Sequence, residues 1–132
     1  MRRSLLVLVT AIAALGLLGT GLAWFFDRPP ARPGAPRAER LWIALCADCH
    51  GADGRGSWRA TLFLIRPGDL TDGATTGRQT DQYLVDIVKD GGSPIGRPGM
   101  PAFGAALTAE DIRALVAYVR GLARAPRVRG SS

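Results

Sequence analysis

The segment IALCADCHGADGRG, residues 43–56, holds every cysteine and every histidine of the chain: Cys46, Cys49 and His50. Any fold adopted by this sequence must bring its sulfur and imidazole chemistry to that one stretch. Two cysteines with a two-residue spacer close a small, strained ring. Such pairs are more typical of redox-active or ligand-holding sites than of structural disulfides.

The chain begins with Arg2 and Arg3 and is then apolar from Leu5 to Phe26. As a helix that run spans about 33 Å, which matches a bilayer core. Trp24, Phe25 and Phe26 fall where an interfacial aromatic belt would lie. The rival reading is a leader peptide cut after Ala23. The length of the run, and three bulky aromatics directly after that site, favour an uncleaved anchor. Either way the two arginines stay in the cytoplasm and the remainder is exported. DRPPARPGAPR follows, and its prolines predict an extended, semi-rigid spacer with a reach of about 34 Å.

Beyond the spacer, helical periodicity marks three segments. ERLWIALCADCH carries Leu41, Trp42 and Leu45 at helical spacing, on a helix starting near 36–38. TDQYLVDIVKDGG has Thr80 as its cap, Leu84, Ile87 and Val88 as its face, and Gly91 as its stop. LTAEDIRALVAYVRGL opens on a Thr108–Asp111 pair resembling a capping box, then sets Ile112, Leu115, Val116, Val119 and Leu122 in register. SWRATLFLIRPGDLTDGATTGR reads as mostly irregular. No segment alternates like a strand. The expected fold is all-α with long loops, divided into an anchor (1–26), a linker (27–37), a folded domain (38–124) and a basic tail (125–132). Long structureless loops are unusual in so small a domain, and here they imply that the loops wrap something.

Three chemistries compete for Cys46, Cys49 and His50. A zinc site needs about four ligands, and one Cys-Cys-His set supplies three. A thioredoxin-like dithiol needs a strand–helix–strand context, which is absent from the pattern. Covalent c-type haem attachment uses Cys-x-x-Cys-His, the thiols forming thioethers and the histidine ligating iron. An export signal, and no other Cys or His in the chain, favour the haem. Met100 in GRPGMPAFG is then the candidate for the other axial position. It is the only methionine besides the initiator, and Pro98, Gly99 and Pro101 define its path. Lys89 is the rival donor.

CADCHGADGRG resembles the attachment segment of class I c-type cytochromes, GMPAFG their distal methionine loop, and LTAEDIRALVAYVRGL their carboxy-terminal helix. The resemblance runs over residues 38–122. It implies one haem c enclosed by helices, with His50 and Met100 as the iron ligands. It also implies first and last helices that cross, where Trp42 meets Leu115 or Tyr118. Pro67 is the candidate for the family's proline carbonyl that accepts the proximal histidine's Nδ1 proton. Trp58, Arg59 or Arg66 are candidates to bond a haem propionate, since arginine suits carboxylates. Tyr83 and Phe103 read as packing residues, and Arg113, Arg120, Arg124, Arg127 and Arg129 as a solvated basic end.

An iron with both axial positions filled has no place for a small-molecule substrate, so the expected role is single-electron transfer. The expected partners are redox proteins: a quinol-oxidising complex, a terminal oxidase or an exported dehydrogenase. Alternatives are a fixed haem subunit of a larger dehydrogenase or oxidase, and a sensor or peroxidase-like protein whose Met100 leaves the iron. The expected location is the bacterial inner membrane, single-pass, with the haem domain on the periplasmic side. The formal charge of +6 falls to about +4 without Arg2 and Arg3. With no basic stripe carrying interleaved aromatics, nucleic acid is not an expected partner.

Overall fold

The computed structural model describes residues 2–27 and 30–124; the expected basic tail, 125–132, lies outside the described residues. The first apolar run forms one helix, α1 (Arg2–Phe26), and buries none of its residues. Thr10 and Thr20 return their hydroxyl protons to carbonyls three and four residues earlier, at 3.0 Å. Their donors are therefore satisfied within the helix, as an apolar surrounding requires. α1 is long and apolar enough to cross a membrane.

The spacer is only partly extended. A turn brings the Ala35 amide to the Arg32 carbonyl at 2.9 Å, and Ala35 is buried. Arg32 grips the buried carboxylate of Glu39 through two bonds of 2.8 and 2.5 Å. The folded domain therefore gathers chain upstream of residue 38.

The predicted first helix is broken. α2 (Arg37–Leu45) ends at Cys46, and α3 (Ala47–His50) follows as a separate turn. The segment expected to be irregular contains two short helices. In α4 (Trp58–Leu62) the Ser57 hydroxyl accepts from the Arg59 amide, and in α5 (Gly73–Thr76) the Asp72 carboxylate accepts from the Ala74 amide. α6 (Asp81–Asp90) starts at Thr80 and stops at Gly91 as the pattern predicts. A single 3₁₀ turn at Ser93–Ile95 precedes the methionine loop. α7 (Ala109–Arg124) closes the described chain. No strand occurs among the described residues.

The core forms where α2 crosses α7. Trp42 and Leu115 are each only 2% exposed, and the Trp42 and Tyr118 rings lie 5.6 Å apart. Leu41, Val88, Leu107 and Leu122 pack around them. A polar clasp holds the same crossing: Arg37 of α2 forks onto the buried Asp111 of α7, with one arm at 2.9 Å. Thr108 accepts from the Asp111 amide at 3.1 Å and donates its hydroxyl to the carboxylate at 3.0 Å. This cap therefore departs from a standard capping box, because the carboxylate takes the hydroxyl proton and not the Thr108 amide. Arg120 departs from the expected solvated face. Its side chain is folded in, donating to the Thr76 carbonyl at 2.6 Å, to Asp81 at 2.8 Å and to the Gln79 carbonyl. It joins α7 to the end of α5 and the start of α6.

Two outcomes follow from the crossing. Trp42→Ala removes its central ring and is expected to cost about 3–5 kcal/mol, read as a lower urea midpoint of the full chain. The Arg37 fork, with the Thr108 bonds, holds the Asp111 carboxyl well below the usual carboxylate range. A lowered native value stabilises the fold above the unfolded value of about 3.9 and is lost as pH falls through the native one. Asp111→Asn should therefore lower stability at pH 7, and its difference from the parent should shrink below about pH 4. A difference that stays constant from pH 7 to pH 3 would contradict this account.

Candidate functional site

The break at Cys46 sets the geometry of the attachment segment. Its carbonyl accepts from the His50 amide at 2.9 Å and the Cys49 amide at 3.2 Å, which winds Cys46, Cys49 and His50 into a single turn. The loop beyond bends back to cap that turn: the Gly56 amide reaches the His50 carbonyl at 2.8 Å, and the Ser57 amide the Cys49 carbonyl at 2.9 Å. Gly51 makes the reversal at φ +76°, where a Cβ would stand 2.9 Å from the Gly56 carbonyl oxygen. Trp42 supports the turn from behind. Its ring centroid is 6.0 Å from that of His50, and its indole donates to the Ala52 carbonyl at 3.2 Å.

The methionine loop is fixed by the end of α6. A helix end leaves carbonyls without partners, and here the loop supplies them. The Gly91 amide reaches Ile87, the Phe103 amide Val88, and the Gly104 amide Lys89, all at 2.9–3.0 Å. The Met100 carbonyl accepts from the Gly92 amide at 3.0 Å, and the Arg97 amide bonds the Gly92 carbonyl at 2.8 Å. Gly92 must lack a side chain, since a Cβ there would lie 2.1 Å from the Arg97 carbonyl oxygen. The sequence marked Gly91 as a helix stop; the role of Gly92 became visible only with the loop in place.

These two constructions face one another across a cavity of about 440 Å³, within the range of cofactor sites. Cys46, Cys49, His50, Pro67 and Met100 all border it, with Leu45, Leu64, Ile65 and Phe103 supplying apolar walls. Phe103, expected as packing, thus lines the site. Arg66 borders it, as does Arg97, which the sequence reading did not single out. Trp58 and Arg59 do not: both turn towards the end of α1, and Trp58 is exposed. Lys89 lies outside the cavity walls.

Electrostatics separates the three chemistries. Burial, with a smaller contribution from Cys49, pushes the Cys46 thiol up to about 11. A reactive dithiol needs the opposite shift. Among the described residues, no three His, Cys, Asp or Glu side chains converge to hold a metal directly. Burial pushes the His50 imidazole below its ordinary value, favouring the neutral form that can ligate a metal. His50 Nδ1 is buried without a hydrogen-bond partner. Pro67 borders the same cavity as His50, but its carbonyl makes no bond to that nitrogen. A largely apolar cavity, two thiols and an imidazole on one wall, and a thioether on another fit a covalently held haem.

Comparison with known proteins agrees. A family model described as "Cytochrome C oxidase, cbb3-type, subunit III" matches residues 33–119. The cbb3-type cytochrome c oxidase subunit FixP of Azorhizobium caulinodans is 30% identical over 94 residues, covering 71% of this chain. The chain spans only 29% of that relative's length. The KustC0563 c-type cytochrome superposes with a TM-score of 0.55 at 26% identity, over 64% of this chain and 95% of that one. The chain therefore belongs to the c-type cytochromes of the cbb3 subunit III family: a haem c protein that transfers electrons, with an apolar amino-terminal helix suited to hold it at a membrane.

Proposed function

We propose that the chain is a single-haem electron carrier, anchored by α1 with its haem domain on the outer side of a bacterial inner membrane. It exchanges electrons with a quinol-oxidising complex, a terminal oxidase or an exported dehydrogenase. The observation that carries this reading is the single cavity bordered by Cys46, Cys49, His50 and Met100. Bound there, haem c supplies a one-electron iron couple.

Cys46 and Cys49 would hold the group by thioether bonds, each S–H adding across a vinyl group of the haem. His50, backed by Trp42, would supply an imidazole nitrogen to the iron. The Pro67 carbonyl, which makes no bond to His50 Nδ1 in this structure, would accept its proton in the haem-loaded protein, orienting the ring and strengthening it as a donor. Met100 would supply a thioether to the same iron, which raises the potential. Leu64, Ile65 and Phe103 would pack apolar surface against the group, and Arg66 and Arg97 would offer guanidinium groups to its carboxylates.

A second reading is favoured by the family and by FixP: this chain is the haem c subunit of a larger oxidase. Intact mass of the haem-staining species from source membranes, followed by native sizing in mild detergent, separates the two. An uncut chain plus one haem at its own size supports the carrier. Comigration with oxidase activity supports the subunit. A soluble species starting near Trp24 removes the anchor.

Met100→Ala should abolish the methionine-to-iron charge-transfer band, lower the potential, and let the reduced protein bind carbon monoxide without denaturant. An unchanged spectrum would remove Met100 from the iron. Gly92→Ala should weaken the same band while both thioethers remain, because the new Cβ displaces the loop that carries Met100. A band of parental strength would show that the glycine contact does not set the ligand.

A further inference from the structure

The end of α1 is not free of the haem domain. Trp24 stacks on Trp58 of α4, centroids 6.0 Å apart at 24°, and Phe25 meets the same ring edge-on at 5.7 Å. Arg59 donates to the Trp24 carbonyl at 3.3 Å and to the Asp27 carbonyl at 2.8 Å. Its guanidinium lies 5.5 Å from the centre of the Trp58 ring and 5.9 Å from that of Phe25. A cation at the carbonyl end of a helix also meets the negative pole of its dipole. α4 is thereby held level with the aromatic end of the apolar helix.

At that level the surface is apolar. Trp24, Phe26, Trp58, Leu62 and Phe63 are between 52% and 70% exposed. Trp58 and Leu62 are spaced i, i+4, so they share one face of α4. Leu64 is exposed for another reason, since it borders the haem cavity. The remaining cluster is continuous with α1, and tryptophan beside aliphatic groups is the composition of a membrane interface.

We propose that α4 and Phe63 lie in the lipid interface beside the end of α1, holding the haem domain flat against the bilayer in one orientation. This rests on the reading that α1 is retained as the anchor. Cys49 borders both the haem cavity and a smaller one lined by Phe25, Phe26 and Phe63. The wall of the haem cavity that carries Cys49 is therefore continuous with the side proposed to meet the membrane, and Met100 borders the same cavity without touching the smaller one.

The test uses the full, haem-loaded chain in phosphatidylcholine vesicles. With Cys46 and Cys49 consumed, an introduced cysteine is the only free thiol. Nitroxides at Leu62→Cys and Phe63→Cys are compared with labels at Leu17→Cys in α1 and Gln82→Cys on α6. Only samples with the parental haem spectrum are read. The ratio of oxygen to nickel-chelate accessibility at 62 and 63 should exceed that at 82 several-fold and approach that at 17. A ratio equal to that at 82, with 17 in lipid, overturns the proposal and leaves the anchor intact. An aqueous ratio at 17 overturns both. Spin–spin broadening between labels at 63 would assign the patch to a second copy and overturn lipid contact. Radical footprinting of the unaltered chain needs no variant: Trp58 should be modified more slowly than Tyr83 in vesicles, and faster modification overturns the proposal.

Discussion

The contact between Trp42 and the α7 helix governs everything built around it. One indole ring packs against Leu115 and Tyr118 on one side, stands 6.0 Å from His50 on another, and bonds the loop after His50 through its nitrogen. The orientation of His50, the proposed iron ligand, is thus tied to the packing of two helices distant in sequence. A domain this small buries few side chains completely, and small domains are correspondingly marginal. The Arg37–Asp111 pair reinforces the same crossing from its polar rim, and the Arg32–Glu39 pair ties the spacer to α2 beside it. A buried carboxylate is tolerable only with such partners, so these residues act as matched sets.

The two walls of the haem site solve one problem in different ways. Each is a helix end whose carbonyls need donors. After His50 the chain itself reverses and provides them from Gly56 and Ser57. After α6 the donors come from Phe103 and Gly104, beyond the whole methionine loop. The loop is therefore pinned on both sides of Met100. Backbone pinned by hydrogen bonds at His50 and around Met100 would limit reorganisation at an iron held between them, which suits electron transfer.

Much of this was legible in the sequence, for chemical reasons. Thioether attachment demands a fixed spacing, so Cys46, Cys49 and His50 stand out without any fold. α6 and α7 are long enough for helical periodicity to register. α4 and α5 are a turn or so each, too short for any period to show, and their caps at Ser57 and Asp72 emerge only in the folded chain. Arg120 and Arg97 resemble surface cations in one dimension, and their roles depend on what the tertiary fold sets beside them. The spacer was misjudged at its domain-facing end for the same reason, because Arg32 and Ala35 acquire partners only once α2 is in place.

The stack of Trp24 on Trp58 also bears on the fate of the amino terminus. The Ala23–Trp24 bond lies inside helical backbone, and the residue following it is packed against the folded domain. Peptidases act on extended chain, so cutting there requires the end of α1 to unwind and leave α4. Any cut at that bond would therefore have to precede the docking of α4. A chain whose domain closes first keeps the bond hidden.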